Sequence, residues 1–372
     1  MPRLPPSTSS PGAVARLPGL DAARALGVLA MVAGHTLDAL LAPEVRAQPG
    51  VELYWQARGF TAPLFLVTAG WGLAVSTVRG GARGLPVLSG RLPRVALLLA
   101  VGMALRWPGW ATDGLVHLEP EPWRHLLAFD VLQTIAVGLL LAASVLALPL
   151  DRGRAASVFA LLAGTSLVAA WSVPPPRLPP GLVAIAAEQA AGGTSPFPLF
   201  PWLAYFFAGA VLGLTARAGS RRTALAVSGT GVALVLPFAL LHPGDFAPAH
   251  PVLVGLRLGG VLLLLGLLFA VPRGVARAAA PLGRASLAVY SLHVPVVYGW
   301  STVHGLAGRV GPSLGLGEAL GLAAAVLMAS FAASRLLGAA SGALARAAGR
   351  AAAGAGVLGA RLRAARWPER RR

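Results

Sequence analysis

The stretch Arg16 to Leu41, RLPGLDAARALGVLAMVAGHTLDALL, is an apolar run of membrane-spanning length that carries Asp21, Arg24, His35 and Asp38. About 20 predominantly apolar residues suffice to cross the hydrocarbon core of a bilayer as a helix. An ionisable side chain is expensive there and marks a functional site by default. At 100° per residue, Arg24 and His35 fall within roughly 20° of each other, with Asp21 and Asp38 about 60° to either side. The four make one polar stripe, which must face protein or a watery cavity. About 16 Å of helix axis separates Arg24 from His35. One sits near one membrane face and the other most of the way across.

The rest of the chain agrees with this reading. Its 372 residues are 56% hydrophobic and only 12% charged, whereas soluble domains are about 25% charged. Mean hydropathy is +0.70. The fold class expected is all-α, a polytopic helical bundle. Apolar length places about ten spans near residues 20–42, 58–78, 92–107, 126–149, 156–173, 198–216, 222–241, 251–271, 285–303 and 317–338. Residues 1–15 are rich in Pro and Ser and lack an apolar core, so they read as a disordered cytoplasmic segment with no cleaved signal peptide. Residues 16–340 form the membrane domain. Residues 341–372 are a basic tail, read either as an interfacial amphipathic helix or as a poorly ordered end.

All 31 basic residues are arginine, and the chain has no cysteine, which excludes disulfides and thiolate metal sites. No metal site is expected. The formal charge of +18 is spread in a way that argues against nucleic acid. Of the 31 arginines, 23 fall in the termini and alternate loops that ten spans place on one side. Six fall in the opposite loops, and Arg24 and Arg257 lie within spans. By the positive-inside rule both termini are cytoplasmic. Five histidines (His117, His125, His242, His250 and His304) lie in or beside the external loops, together with the acids Glu44, Glu52, Asp113, Glu119, Glu121 and Asp245. The outer face is thus rich in groups that move protons near neutral pH.

His35, near the outer end of the first span, is a candidate general base for a hydroxyl or amine arriving from outside; the alternative is packing against a neighbouring helix. Arg24, about one turn inside the inner boundary, suits a phosphate or thioester carbonyl, or else it pairs with Asp21 or snorkels. Gly27, Gly34, Gly70 and Gly72 read as close-packing positions. The fourth span carries Asp130, Gln133 and Thr134 on one side. The loop before it, with His117, Glu119, Glu121, Trp123, Arg124 and His125, suits a sugar-binding rim or an interfacial aromatic belt. Ser286, Tyr290, His293, Trp300 and His304 share one helical face of the ninth span. His293 sits mid-membrane, where it either joins His35 in a central cavity or bonds a backbone carbonyl. Arg79, Arg83, Arg91 and Arg94 form a cytoplasmic loop with the charge to hold donor phosphates, a role that topology alone also accounts for.

Five stretches carry a resemblance: residues 16–35 of the opening run, TAPLFLVTAGWGLA (61–74), FDVLQTIA (129–136), FPLFPWLAYFFAGAVLG (197–213) and ASLAVYSLH (285–293). In this order they resemble the heparan-alpha-glucosaminide N-acetyltransferase catalytic-domain family, a relative of the acyltransferase-3 type membrane enzymes. The resemblance implies a multi-span enzyme that takes an acyl group, usually acetyl, from cytoplasmic acyl-coenzyme A. The group passes to a sugar amine or hydroxyl across the membrane. In the acyltransferase-3 relatives the histidine and arginine matching His35 and Arg24 are the functional pair. In the lysosomal enzyme the catalytic histidine follows the first span, and loop 43–57 here has none.

The expectation is therefore an acyltransferase of a bacterial inner membrane. Its catalytic candidates are His35, Asp38, Arg24, Asp130 and His293, with Asp38 or Asp130 orienting His35. Its donor-binding candidates are Arg24, Arg79, Arg83, Arg91 and Arg94. The acceptor is a periplasmic glycan or lipid-linked sugar. Direct transfer and transfer through an acyl-histidine are both open, as is a homo-oligomer. The alternative is a small-solute or proton transporter with His35, His293 and Arg257 as its relay.

Overall fold

The computed structural model describes residues 17–109, 112–172, 181–216, 220–240 and 250–365. Residues 1–15 and the external His242 fall outside them. Each expected span coincides with a helix: α1 (Pro18–Leu40), α2 (Thr61–Gly80), α3 (Leu92–Leu105), α4 (Val131–Ala147) and α5 (Arg152–Ser172). The others are α6 (Leu199–Thr215), α7 (Arg221–Leu240), α8 (Pro251–Ala270), α9 (Ser286–Tyr298) and α10 (Leu316–Ala365). Among the described residues, six helices are long and apolar enough to cross a membrane, and a seventh qualifies if the bent pair before and including α4 counts as one span. The chain is an all-α membrane protein.

α1 is the hub. It begins at a helix-favouring proline and ends where Leu41 turns extended before Pro43. It packs on α2, α8, α9, α10 and the amphipathic helix Arg273–Arg284. α2 and α6 approach backbone to backbone. A Cβ on Gly70 would lie 2.0 Å from the Phe206 carbonyl oxygen, and one on Gly209 would lie 2.1 Å from that of Val67. Glycine here is what lets two backbones touch. Around that seam Trp71, Phe159, Phe206 and Phe207 are fully buried. A second apolar cluster joins α1, α3, α4 and α9 through Val28, Val32, Leu98, Leu132 and Val289.

Two expected spans are broken. The fourth bends by 65° between Pro120–Leu127 and α4. Asp130 causes the break by capping α4: its carboxylate accepts the Val131 N–H, and the Gln133 side chain returns to the Asp130 N–H at 3.2 Å. The ninth span ends at Tyr298, because Gly299 takes a left-handed φ of 96° and starts a two-residue hairpin pairing with His304. Trp300 and His304 therefore lie on that hairpin and do not continue the helical face of Tyr290 and His293. α10 runs without interruption past residue 340 to Ala365.

Candidate active site

Two cavities meet at the middle of the bundle. The larger, about 840 Å³, is lined by His35, Asp38, Arg46, Arg106, His125, Asp130, Arg257, Tyr290 and Tyr298 among others. The smaller, about 370 Å³, is lined by Asp21, Arg24, Ser76, Arg91, Arg94 and Arg284. Met31, Phe65, Val131 and Tyr290 line both. The stripe on α1 is thus divided: Arg24 faces one cavity and His35 the other.

His35 Nδ1 and His293 Nε2 are 2.9 Å apart, with nearly parallel rings. His293 is fully buried, and its Nδ1 lies 2.9 Å from the Val289 carbonyl oxygen one turn back on α9. A carbonyl only accepts, so Nδ1 of His293 must carry a proton. When His293 is neutral its Nε2 is then an acceptor, and His35 donates to it through Nδ1–H. That leaves the lone pair of the His35 dyad on Nε2 of His35. His293 bonds a backbone carbonyl and also meets His35 from behind the cavity lining, of which it is not part.

Asp38 and Asp130 have other partners. Asp38 forms an ion pair with Arg46 at 3.5 Å, and Arg46 also donates to the Asp38 carbonyl. The Tyr298 hydroxyl donates to Asp38 at 3.3 Å, and its ring stands edge-on to His35. Asp130 caps α4 and lines the cavity beside Tyr290. His35 Nδ1 meets His293 Nε2, a partner on α9. Tyr298, at the last turn of α9, had no signal in the sequence beyond its place five residues after His293.

The FDVLQT and FPLFPW stretches clasp each other and so fix Asp130. Thr134 donates to the Phe197 carbonyl at 2.6 Å, and the Phe197 N–H donates to that of Phe129 at 3.0 Å. Of the expected sugar rim, His125 lines the cavity and His117, Glu119, Glu121, Trp123 and Arg124 do not. Trp123 donates to the Leu115 carbonyl, and Arg124 bridges Glu121 and Glu188, tying the rim to the helix Leu182–Ala191. His250 caps α8 through its ring.

In the smaller cavity the Arg24 guanidinium donates to the Thr68 carbonyl at 2.9 Å and lies 3.7 Å from the buried Asp21 carboxylate. A Cβ on Gly72 would fall 2.8 Å from Arg24 Nη2. Gly72 thus makes room for a charge, where the sequence pointed only to close packing. Arg91 donates to Ser76 at 2.9 Å. Arg79 and Arg83 are exposed and not part of the lining, while Arg284 joins Arg24, Arg91 and Arg94. Arg284 was legible only as a topology charge. Gly283 beside it approaches the Asp21 carbonyl, which brings the end of Arg273–Arg284 against α1.

The arrangement places His35 in the larger cavity and Arg24, Arg91, Arg94 and Arg284 in the smaller, with Met31, Phe65, Val131 and Tyr290 shared between them. No curated protein matches the chain. The sequence profile of the family described as heparan-alpha-glucosaminide N-acetyltransferase, catalytic, matches residues 16–242, more than half of the chain, and the protein belongs to this family of membrane acyltransferases.

Proposed function

We propose that the protein transfers an acyl group, acetyl in the first instance, from cytoplasmic acyl-coenzyme A to an amine or hydroxyl of a sugar on the external side. The observation that carries the reading is the pairing of His293 with His35, which lines a cavity that shares a wall with an arginine-lined one. The arginine bias of the loops assigns the Arg24 cavity to the cytoplasmic side of a ten-span protein with both termini inside an inner membrane. Arg24, Arg91, Arg94 and Arg284 then bind donor phosphates, for which guanidinium geometry is suited. The thioester end of the donor reaches past Met31 and Phe65 toward His35.

In the transfer step Nε2 of His35 takes the proton from the acceptor as the acceptor nitrogen or oxygen attacks the thioester carbonyl. The new C–N or C–O bond forms, the C–S bond breaks, and the departing thiolate receives the proton from His35. His293 holds the imidazole in the required tautomer and shares the positive charge while His35 is protonated.

The test uses sealed, oriented vesicles with labelled acetyl-coenzyme A on the cytoplasmic face only. Label should appear on a sugar-containing product on the opposite side and vanish with His35→Ala at unchanged protein level. Uptake of a solute without acyl-coenzyme A turnover would overturn the reading in favour of a transporter.

A further inference from the structure

Charge in the His35 cavity does not balance. Three guanidiniums (Arg46, Arg106 and Arg257) face two carboxylates, Asp38 and Asp130. Arg46 is paired with Asp38 and lies over the Trp55 ring, 5.1 Å from its centroid. Arg106 donates to the His125 carbonyl at 2.8 Å and lies within the field of Asp130. Arg257 has no carboxylate in ion-pair distance among the described residues. It is half-buried, about 9 Å along α8 from its first residue. The guanidinium lies against the backbone of Gly59, where a Cβ would come within 3.1 Å of Nε. Its titratable neighbour is the phenol of Tyr205, which is uncharged at neutral pH. An intramembrane cation is retained where something pairs with it. Trp202 and Phe197, which line the same cavity, supply flat apolar faces of the kind a sugar ring packs on.

We infer that the acceptor carries an acidic group, a phosphate or a carboxylate, beside its nucleophilic amine or hydroxyl, and that Arg257 receives that group. The inference rests on the acyltransfer reading for the word acceptor, but the anion site itself does not depend on transfer. Arg257 lies outside residues 16–242, so membership of the family does not supply it. With the acid on Arg257, the sugar ring lies across the aromatic wall and its nucleophile is held in the cavity that His35 lines. An acceptor without the acid would lose this anchor.

The experiment measures equilibrium binding to the full-length protein in nanodiscs, without donor. The probes are glucosamine 6-phosphate, glucuronate, inorganic phosphate and the neutral sugar glucose. Acidic sugars should bind at least tenfold more tightly than glucose, and inorganic phosphate should compete with them. Arg257→Gln should erase the difference and leave glucose binding unchanged, and Arg257→Lys should retain part of it. A stronger response to the phosphate sugar or to glucuronate tells which acid the site prefers. Equal binding of charged and neutral sugars by the wild-type protein, or no binding of any probe, overturns the inference whether or not the variants fold. So does a preference that survives Arg257→Gln. Acetyl transfer is assayed separately with the same sugars. Transfer indifferent to the acid, with charged and neutral sugars bound equally, sinks the acidic acceptor and leaves the acyltransferase standing. Arg257-dependent binding with no acetyl transfer to any of the sugars does the reverse.

Discussion

His35 on α1 and His293 on α9, 258 residues apart in the sequence, are joined by a 2.9 Å contact between ring nitrogens. His35→Ala should lower acyl transfer by roughly 100-fold to 10,000-fold, the usual worth of a positioned general base. His293→Ala should cost less, about tenfold, because it removes one orienting hydrogen bond and leaves the base. Initial rates in proteoliposomes, at matched protein level, check both. Equal losses would show that the two rings act as one unit.

The dyad also sets a pH dependence. Transfer needs the pair without its extra proton, so the rate falls as the external solution is acidified and the imidazoles become charged. One proton suffices to block the base, so log rate should fall with a limiting slope of one. A rate flat from alkaline to acidic pH would remove the dyad from proton transfer.

Gly70 and Gly72 are two residues apart on α2 and should respond in opposite ways. At Gly70 a methyl group meets the Phe206 carbonyl at 2.0 Å, a backbone atom that cannot swing aside. Gly70→Ala should destabilise the protein by about 1–3 kcal/mol, as overpacking does. At Gly72 the obstacle is the end of the Arg24 side chain, which can move. Gly72→Ala should keep the unfolding midpoint and raise KM for acyl-coenzyme A several-fold. Thermal unfolding and steady-state kinetics on the pair separate the two roles.

Asp130 combines a helix cap with a charge in the cavity. Asp130→Asn keeps a good capping side chain and should leave stability nearly unchanged, whereas Asp130→Ala should cost about 1 kcal/mol. Any loss of transfer common to both variants then reports the charge. Loss in Asp130→Ala alone reports the cap.

How much of this was legible depended on whether the signal was local. The helix Pro18–Leu40 and its polar stripe follow from apolar length and a 3.6-residue period, so Arg24 and His35 were found directly. The helix of His293 was found in the same way. The bond between the two histidines could only be raised as one option, because periodicity places a residue on a face and does not say which distant face it meets. The carboxylates Asp38 and Asp130, expected to orient His35, also bind groups that periodicity does not point to. Arg46 follows Asp38 by two turns once α1 has ended, and the N–H groups at the start of α4 take Asp130. A capping Asp with Gln three residues later is itself a helix-start signal. It was masked by the long apolar run in which it stands. The hairpin after Tyr298 was missed because Val, Trp and Thr around Gly299 prolong an apolar pattern that one left-handed glycine ends. Gly72 and Arg284 became meaningful only when tertiary contacts brought a guanidinium and a cavity to them.

The wall formed by Met31, Phe65, Val131 and Tyr290 has an electrical consequence. If the two cavities open to opposite faces, as proposed above, the membrane voltage falls mainly across the layer left between them. Each unit charge carried through that layer exchanges about 2.3 kcal/mol with the field per 100 mV. If the phosphates stay among the arginines and only the uncharged thioester arm enters the layer, acyl transfer is electrically silent. The cell can then run it at any membrane potential, and the energy of the thioester crosses while the ions stay where they are.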